Sequence, residues 1–223
     1  MQIAPLLKIG RGVTALIGGG GKTTLMETLA EELQKSGRVI ITTTTHIRRP
    51  ERYETLLDAD GDAVRAALAR ARIVCAAGQA EDGKLCAPPL PIEALAQLAD
   101  YVLVEADGAK RLPLKAHAPH EPVIPSCAQR TVLVIGIDGI GKPIRETCHR
   151  SARYAQLAGV SEDTPVTPSI AARVVNAEGY GDRIYINKVE SAAALDAAQA
   201  MAKEFSCPVI AGSLHKGVYL CLR

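Results

Sequence analysis

Gly18, Gly19, Gly20, Gly21, Lys22, Thr23 and Thr24 have the types and spacing to cradle a phosphate chain. Glycines let backbone N–H groups turn inward and approach an anion closely. A helix opening at Lys22 would place about half a positive charge at the same spot. Lys22 would then reach the β- and γ-phosphates, and the Thr23 hydroxyl would join a Mg²⁺ shell. A plain glycine linker is the simpler account. Against it, a short apolar run at 13–17 precedes the glycines and a helical pattern follows them.

The loop departs from the pattern G-x-x-x-x-G-K-[ST], because Leu16 stands five positions before Gly21. It reads G-x-x-G-K-T-T, similar to the short phosphate loop of Mur-type ligases and related folate ligases. Two acids offer a partner for it. The apolar run at 101–105 ends in Glu105, and Asp107 follows two positions on. A buried strand delivering a carboxylate beside a phosphate loop can hold Mg²⁺ directly or through water. On an extended strand Glu105 and Asp107 face one side, so both are candidate metal and catalytic residues with Lys22. The spacing E-x-x-G here resembles metallochaperone-type GTPases.

Thr42, Thr43, Thr44, Thr45 and His46 close another candidate strand, and strand ends line the crevice of open α/β sheets. Thr43 is a candidate Mg²⁺ ligand, and Thr45 and His46 are candidate substrate contacts. Threonines at a strand end also bond the backbone without further purpose. Asn187, Lys188 and Glu190 follow the N-K-x-D layout of GTPases. There Asn meets the base edge, the Lys stem covers the ring, and the acid takes two N–H donors from guanine. Glu190 is one methylene longer than the usual Asp. Ala211, Gly212 and Ser213 close a later strand, where such proteins place a second base-contacting loop. With no Trp and one Phe, a base would lie on Asn187 and the stem of Lys188 rather than on a ring.

These residues need elements to hold them. Strands are expected at 13–17, 38–43, 101–105, 131–137, 183–187 and 208–211. A hairpin of 72–77 with 84–86 is expected around the Asp82-Gly83 turn signal. Helices are expected at 22–36 with Gly37 as its stop, and at 62–71 capped by Asp62. Further helices are expected from Pro91 to about 98, from Thr167-Pro168 onward, and at 191–205. The proline-rich stretch 112–125 reads as extended loop. Alternating apolar strands and helices predict a three-layer α/β fold like that of P-loop NTPases. Its sheet is mostly parallel, helices cover both faces, and a small β-hairpin insertion sits near 72–90. Sites spread from Gly18 to Ser213, so residues 1–223 are read as one nucleotide-binding domain.

Composition narrows the function classes. The chain has 223 residues, 48% apolar and 22% charged, with only 3% aromatic. It has 26 basic and 24 acidic residues, so no broad positive field meets a nucleic-acid backbone or a membrane. Scarce aromatics exclude a base-stacking module. No apolar run reaches the ~18–20 residues of a membrane span. Six spread cysteines without a C-x-x-C pair point to a reducing cytoplasm. His117, His120 and Cys127 are too loosely spaced for a structural Zn site.

The chain resembles the YqeC-type family, described as accessory proteins of selenium-dependent hydroxylases. GGGGKTT at 18–24, TTTTHI at 42–47 and VEADGAKRLPL at 104–114 carry the resemblance. HEPVIP at 120–125, IGIDGIG at 135–141 and NKVE at 187–190 add to it. It implies a nucleotide-binding protein that helps mature selenium-containing molybdenum hydroxylases. The partner would be the hydroxylase apoprotein or its cofactor. Beside that pathway, the loop holding Lys110, Arg111, Lys115, His117, His120 and Glu121 becomes a candidate. It could hold an anionic substrate such as a phosphorylated cofactor or an oxidised selenium species. Lys110, Arg111 and His120 are its nominated contacts; a solvated surface loop is the competing account. Three activities stay open. They are ATP or GTP hydrolysis with Mg²⁺, ATP-dependent kinase- or ligase-like chemistry on a small molecule, and non-catalytic binding as an adaptor.

Overall fold

The structure, a computed structural model, describes residues 1–80 and 83–223. Runs rich in Val, Ile and Leu become strands buried on both faces. The strands are β1 (Gly12–Gly18), β2 (Val39–Thr43), β3 (Glu54–Leu57), β4 (Ile73–Gln79), β5 (Leu85–Cys86) and β6 (Tyr101–Glu105). They continue as β7 (Leu114–Lys115), β8 (Ala128–Gly136), β9 (Cys148–His149), β10 (Arg183–Asn187), β11 (Val209–Ser213) and β12 (Val218–Cys221). The helices are α1 (Lys22–Leu33), α2 (Gly61–Arg70), α3 (Ile92–Leu95), α4 (Ile144–Thr147), α5 (Ser151–Ala158), α6 (Pro168–Glu178) and α7 (Ala192–Ala202).

The main sheet runs β12-β11-β10-β8-β1-β6-β2-β4-β3. Its pairings are parallel except that β12 runs against β11, and β5 folds back on β4. This is the mostly parallel α/β sheet that the alternation predicts. Successive side chains of β1 serve opposite layers. Leu16 packs with Leu25, Met26 and Leu29 of α1. Ala15 and Ile17 pack with Tyr154 of α5, Ile170 of α6 and Met201 of α7. On the flank of β6, β2 and β4, Val102, Ile40 and Val74 meet Val64 and Leu68 of α2. Helices therefore cover both faces.

Local chemistry sets the ends. Thr167 caps α6 by accepting from Ile170 N at 3.1 Å, and Pro168 fits the first turn. Ser191 caps α7 through Ala194 N at 3.2 Å. Several expectations need correction. Asp60, not Asp62, caps α2, because the helix opens one residue earlier than its apolar spacing suggests. Helix α1 stops at Leu33. Gly37 is required instead by close packing, since a Cβ there would lie 2.5 Å from Asp100 Oδ2. The helix after Pro91 is one turn, Ile92–Leu95.

The expected hairpin is not a separate insertion. Its first arm is β4, a strand of the main sheet between β2 and β3, and only Gly78 and Gln79 pair with β5. Asp82 of the expected turn lies outside the described residues. The 112–125 stretch is not wholly loop. Leu114 and Lys115 pair with Cys148 and His149, and residues 113–118 are buried. Strands β3 and β12 were not expected; both are short edges with half-exposed patterns. Among the described residues no helix is long and apolar enough to cross a membrane, and the six cysteines are free thiols.

Candidate functional site

Strand β1 ends at Gly18, and α1 opens at Lys22, so the glycines form the turn between them. Three of their N–H groups brace the loop rather than face inward. Gly18 N donates to Asp107 Oδ2 at 2.9 Å, Gly19 N to Val134 O at 2.9 Å, and Gly20 N to Leu112 O at 3.1 Å. The first α-helical bond is Leu25 N to Gly21 O at 2.9 Å. The N–H groups of Lys22, Thr23 and Thr24 therefore precede the helical ladder, where an anion is favoured. Gly20 cannot be replaced cheaply. Its φ is +80°, and a Cβ would lie 2.3 Å from Gly136 N.

Two carboxylates meet this loop. The Thr23 hydroxyl donates to Glu105 Oε2 at 3.0 Å. Lys22 folds back, donating to Gly18 O at 2.6 Å, with Asp107 Oδ1 at 3.1 Å and Glu105 Oε1 at 3.8 Å. Its side chain is 4% exposed and that of Asp107 is fully buried. Charges so far from water persist only with partners. Asp107 has many. Besides Gly18 N, its Oδ2 meets His117 Nε2 at 2.7 Å and Lys115 Nζ at 3.2 Å. Oδ1 lies beside Lys22 as an ion pair but accepts no hydrogen bond among the described residues. Burial opposes the Asp107 charge, yet Lys22, the His117 bond and Lys115 together hold its carboxyl well below the usual range. Burial dominates at Glu105 and pushes its carboxyl up, against the pull of Lys22 and the Thr23 bond.

His117 joins this centre to α6. Its Nδ1 lies 2.7 Å from Glu178 Oε2, the last residue of the helix. Burial alone would lower its pKa. The bonds to Asp107 and Glu178 outweigh it and raise the pKa, favouring the charged ring, which can donate from both nitrogens. Lys115 continues the network to Glu121 at 2.8 Å.

A cavity of about 790 Å³ opens over the loop. Gly20, Gly21, Lys22, Thr23, Thr24 and Glu105 form its centre. Sheet order fixes its two ends. Asn187, Lys188, Glu190 and Ser213 lie at the ends of β10 and β11, on the β8 side of β1. His46 follows β2 on the other side. Lys110 and Arg111 stand on the loop from β6, next to Leu112, which accepts from Gly20 N over the glycine turn.

Not every sequence candidate lines the cavity. Thr43 is buried, donating to Glu105 O at 2.8 Å and accepting from Thr45 N at 2.9 Å. Thr42 and Thr44 also bond backbone carbonyls, at Ala76 and Val123. The threonine run thus ties β2 to its neighbours. Thr45, His120, Gly18, Gly19 and Asp107 are outside the lining. Asn187 is a strut: Nδ2 donates to Gly20 O at 2.9 Å, while Oδ1 accepts from Tyr185 Oη at 3.2 Å and Leu214 N at 3.3 Å. Glu190 accepts from the Ser213 hydroxyl at 2.6 Å, and Lys188 pairs with Asp138 at 2.8 Å.

The family model described as YqeC protein matches residues 14–152. The chain belongs to the YqeC family. It is also 37% identical over 159 residues to the protein named "Uncharacterized protein YqeC" of Escherichia coli (strain K12). That alignment covers 68% of this chain and 62% of the relative, so the match spans about three fifths of the relative's length. The YqeC match contains the loop, the threonine run, both acids and the basic loop. Asn187, Glu190 and Ser213 lie beyond it.

Within this YqeC chain several neighbours escaped sequence reasoning. Arg48, Lys84 and His215 line the cavity. Glu178 completes the His117 network from sixty-one residues away. No local pattern signals such a contact. Arg48 lies two residues beyond His46, so that position alone hinted at its place.

Proposed function

We propose that this chain binds a Mg²⁺-nucleoside triphosphate, ATP or GTP, over the loop at 18–24 and hydrolyses it in the service of hydroxylase maturation. One observation carries the reading: the 3.0 Å bond from the Thr23 hydroxyl to Glu105 Oε2. It supports the reading because a helix-opening hydroxyl and a strand-end carboxylate in contact are a pair of oxygen donors that suits a hard cation.

Mg²⁺ fits the residues present. Both donors are oxygens, and Mg²⁺ needs only one or two carboxylates with phosphate and water oxygens. Among the described residues no three His, Cys, Asp or Glu gather to hold a metal by themselves. When bound, Mg²⁺ would neutralise charge developing on the β- and γ-phosphates. Glu105 is the acid we assign to it, since it lines the cavity and meets the Thr23 hydroxyl, whereas Asp107 is fully buried and outside the lining. Asp107 instead positions Gly18 and Lys22. Lys22 exchanges its carboxylate contacts for the β- and γ-oxygens, and the N–H groups opening α1 hold the phosphates.

The hydroxylase role, with the apoprotein or its cofactor as partner, rests on the resemblance of the GGGGKTT, VEADGAK and HEPVIP segments. Phosphate release by the purified chain, with ATP and GTP compared, tests the enzymatic part. Mg²⁺-dependent release that Lys22→Ala abolishes supports it. Tight binding without release favours the adaptor reading. Loss of hydroxylase activity in cells carrying Lys22→Ala tests the pathway.

A further inference from the structure

We propose that the end of the cavity built by His46, Arg48, Lys110 and Arg111 is a second binding site, for a small oxyanion-bearing molecule placed beyond the γ-phosphate. It rests on the nucleotide reading for the position of the triphosphate.

Topology is the first support. The residues nominated for the base sit at β10 and β11, while His46 and Arg48 follow β2 on the opposite side of β1. Lys110 and Arg111 stand on the loop from β6, just before Leu112, which accepts from Gly20 N over the glycine turn. A nucleotide whose base lies toward Glu190 and Ser213 points its terminal phosphate toward the other end. Charge is the second. Among the described residues, six lysines and arginines line the cavity against two carboxylates, Glu105 and Glu190. Asp107 behind Lys22 and Asp138 beside Lys188 offset two of the six, and Lys84 has a partner of its own, so the charge left open to an anion is that of Arg48, Lys110 and Arg111.

Pairing is the third. Among the described residues Arg48, Lys110 and Arg111 reach no carboxylate, and all three are exposed beside the cavity. Backbone shape is the fourth. Lys110 and Arg111 are consecutive residues in the left-handed region, with φ +47° and +64°. Leu112 N closes their turn on Ala109 O at 2.9 Å. Non-glycine residues enter this region at some strain, and two in a row hold both cations on the cavity wall. Lys22, the α1 amides and Mg²⁺ already answer the triphosphate, so these cations are left for another anion. Their fork and ammonium donors suit phosphate-like or carboxylate oxygens.

The test titrates inorganic phosphate into the full chain, pre-saturated with Mg²⁺ and a non-hydrolysable triphosphate analogue. The expected result is one phosphate bound per chain. Lys110→Gln with Arg111→Gln weakens it by about tenfold or more, as expected for losing charge-assisted hydrogen bonds. Affinity for the analogue stays within about twofold of the parent. No phosphate uptake up to about 10 mM overturns the proposal. So does uptake that the double variant leaves unchanged, or an equal loss of analogue affinity. If the parent chain binds no analogue, the nucleotide reading fails alone, and phosphate is titrated into Lys22→Ala. Uptake kept in Lys22→Ala but lost in the double variant sustains the second site; the reverse overturns it.

Discussion

The Gly18 amide donates to Asp107 Oδ2 at 2.9 Å, a buried bond between residues on adjacent strand ends. Through it the glycine loop is fixed to the acid that also holds Lys22, Lys115 and His117. The loop is therefore not a free glycine arc. One face is locked into the protein by Asp107, Val134 and Leu112, and the other is left to α1.

Removing that charge should be damaging. Asp107→Asn leaves Lys22, Lys115 and the His117 ring without their shared carboxylate in a dry site. Breaking a buried ion pair costs about 3–5 kcal/mol. Urea denaturation should show this loss with an unchanged slope. A loss below about 1 kcal/mol would mean that the cations find other partners.

Glu105→Gln should behave oppositely. Burial raises the Glu105 carboxyl, so its charge works against folding at neutral pH. The amide keeps the Thr23 contact without that charge. Stability should hold or rise, while Mg²⁺-dependent nucleotide affinity falls by about tenfold or more. Melting with and without Mg²⁺-nucleotide separates the two effects.

The pH dependence follows from His117. Its folded pKa lies above the free value of about 6.5. The stabilisation is full below that free value and is lost as pH rises through the raised one. Denaturation midpoints of the parent chain should therefore fall between neutral and alkaline pH relative to His117→Gln. Asp107 acts at the acid end: its contribution is present above the free value of about 3.8–3.9 and is lost as pH falls toward the depressed one.

Gly20→Ala should disrupt binding through geometry alone. A methyl at φ +80° would sit 2.3 Å from Gly136 N, which is backbone and cannot swing away. Strain of about 1–3 kcal/mol and loss of nucleotide protection are expected in a thermal melt. Thr167→Ala is the control. It removes the α6 cap for about 1 kcal/mol and should leave nucleotide affinity as it is.

Much of the centre was legible because its chemistry is local. The loop, the strand carrying Glu105, and the helix starts at Thr167 and Ser191 each rest on neighbours a few residues apart. What escaped depends on long-range contact. The sequence presents the residues from Leu112 to Pro125 as loop because four prolines dominate it. In the fold Leu114 finds a strand partner, and His117 finds Glu178 on a distant helix. Asn187 fits a base-reading pattern, and its amide also braces the loop at Gly20, a contact that local spacing does not signal. The hairpin arm near residue 73 was misplaced because a short apolar run does not say which strands flank it.

The central claim is tested most directly by calorimetric titration of ATP and GTP into the purified chain with Mg²⁺, and again with EDTA. The account predicts binding of one nucleotide per chain, weakened by about tenfold or more without Mg²⁺, and lost in Lys22→Ala and Thr23→Ala variants that melt as folded proteins. Absence of binding by the parent chain, or equal affinity in the Lys22→Ala variant, would contradict it.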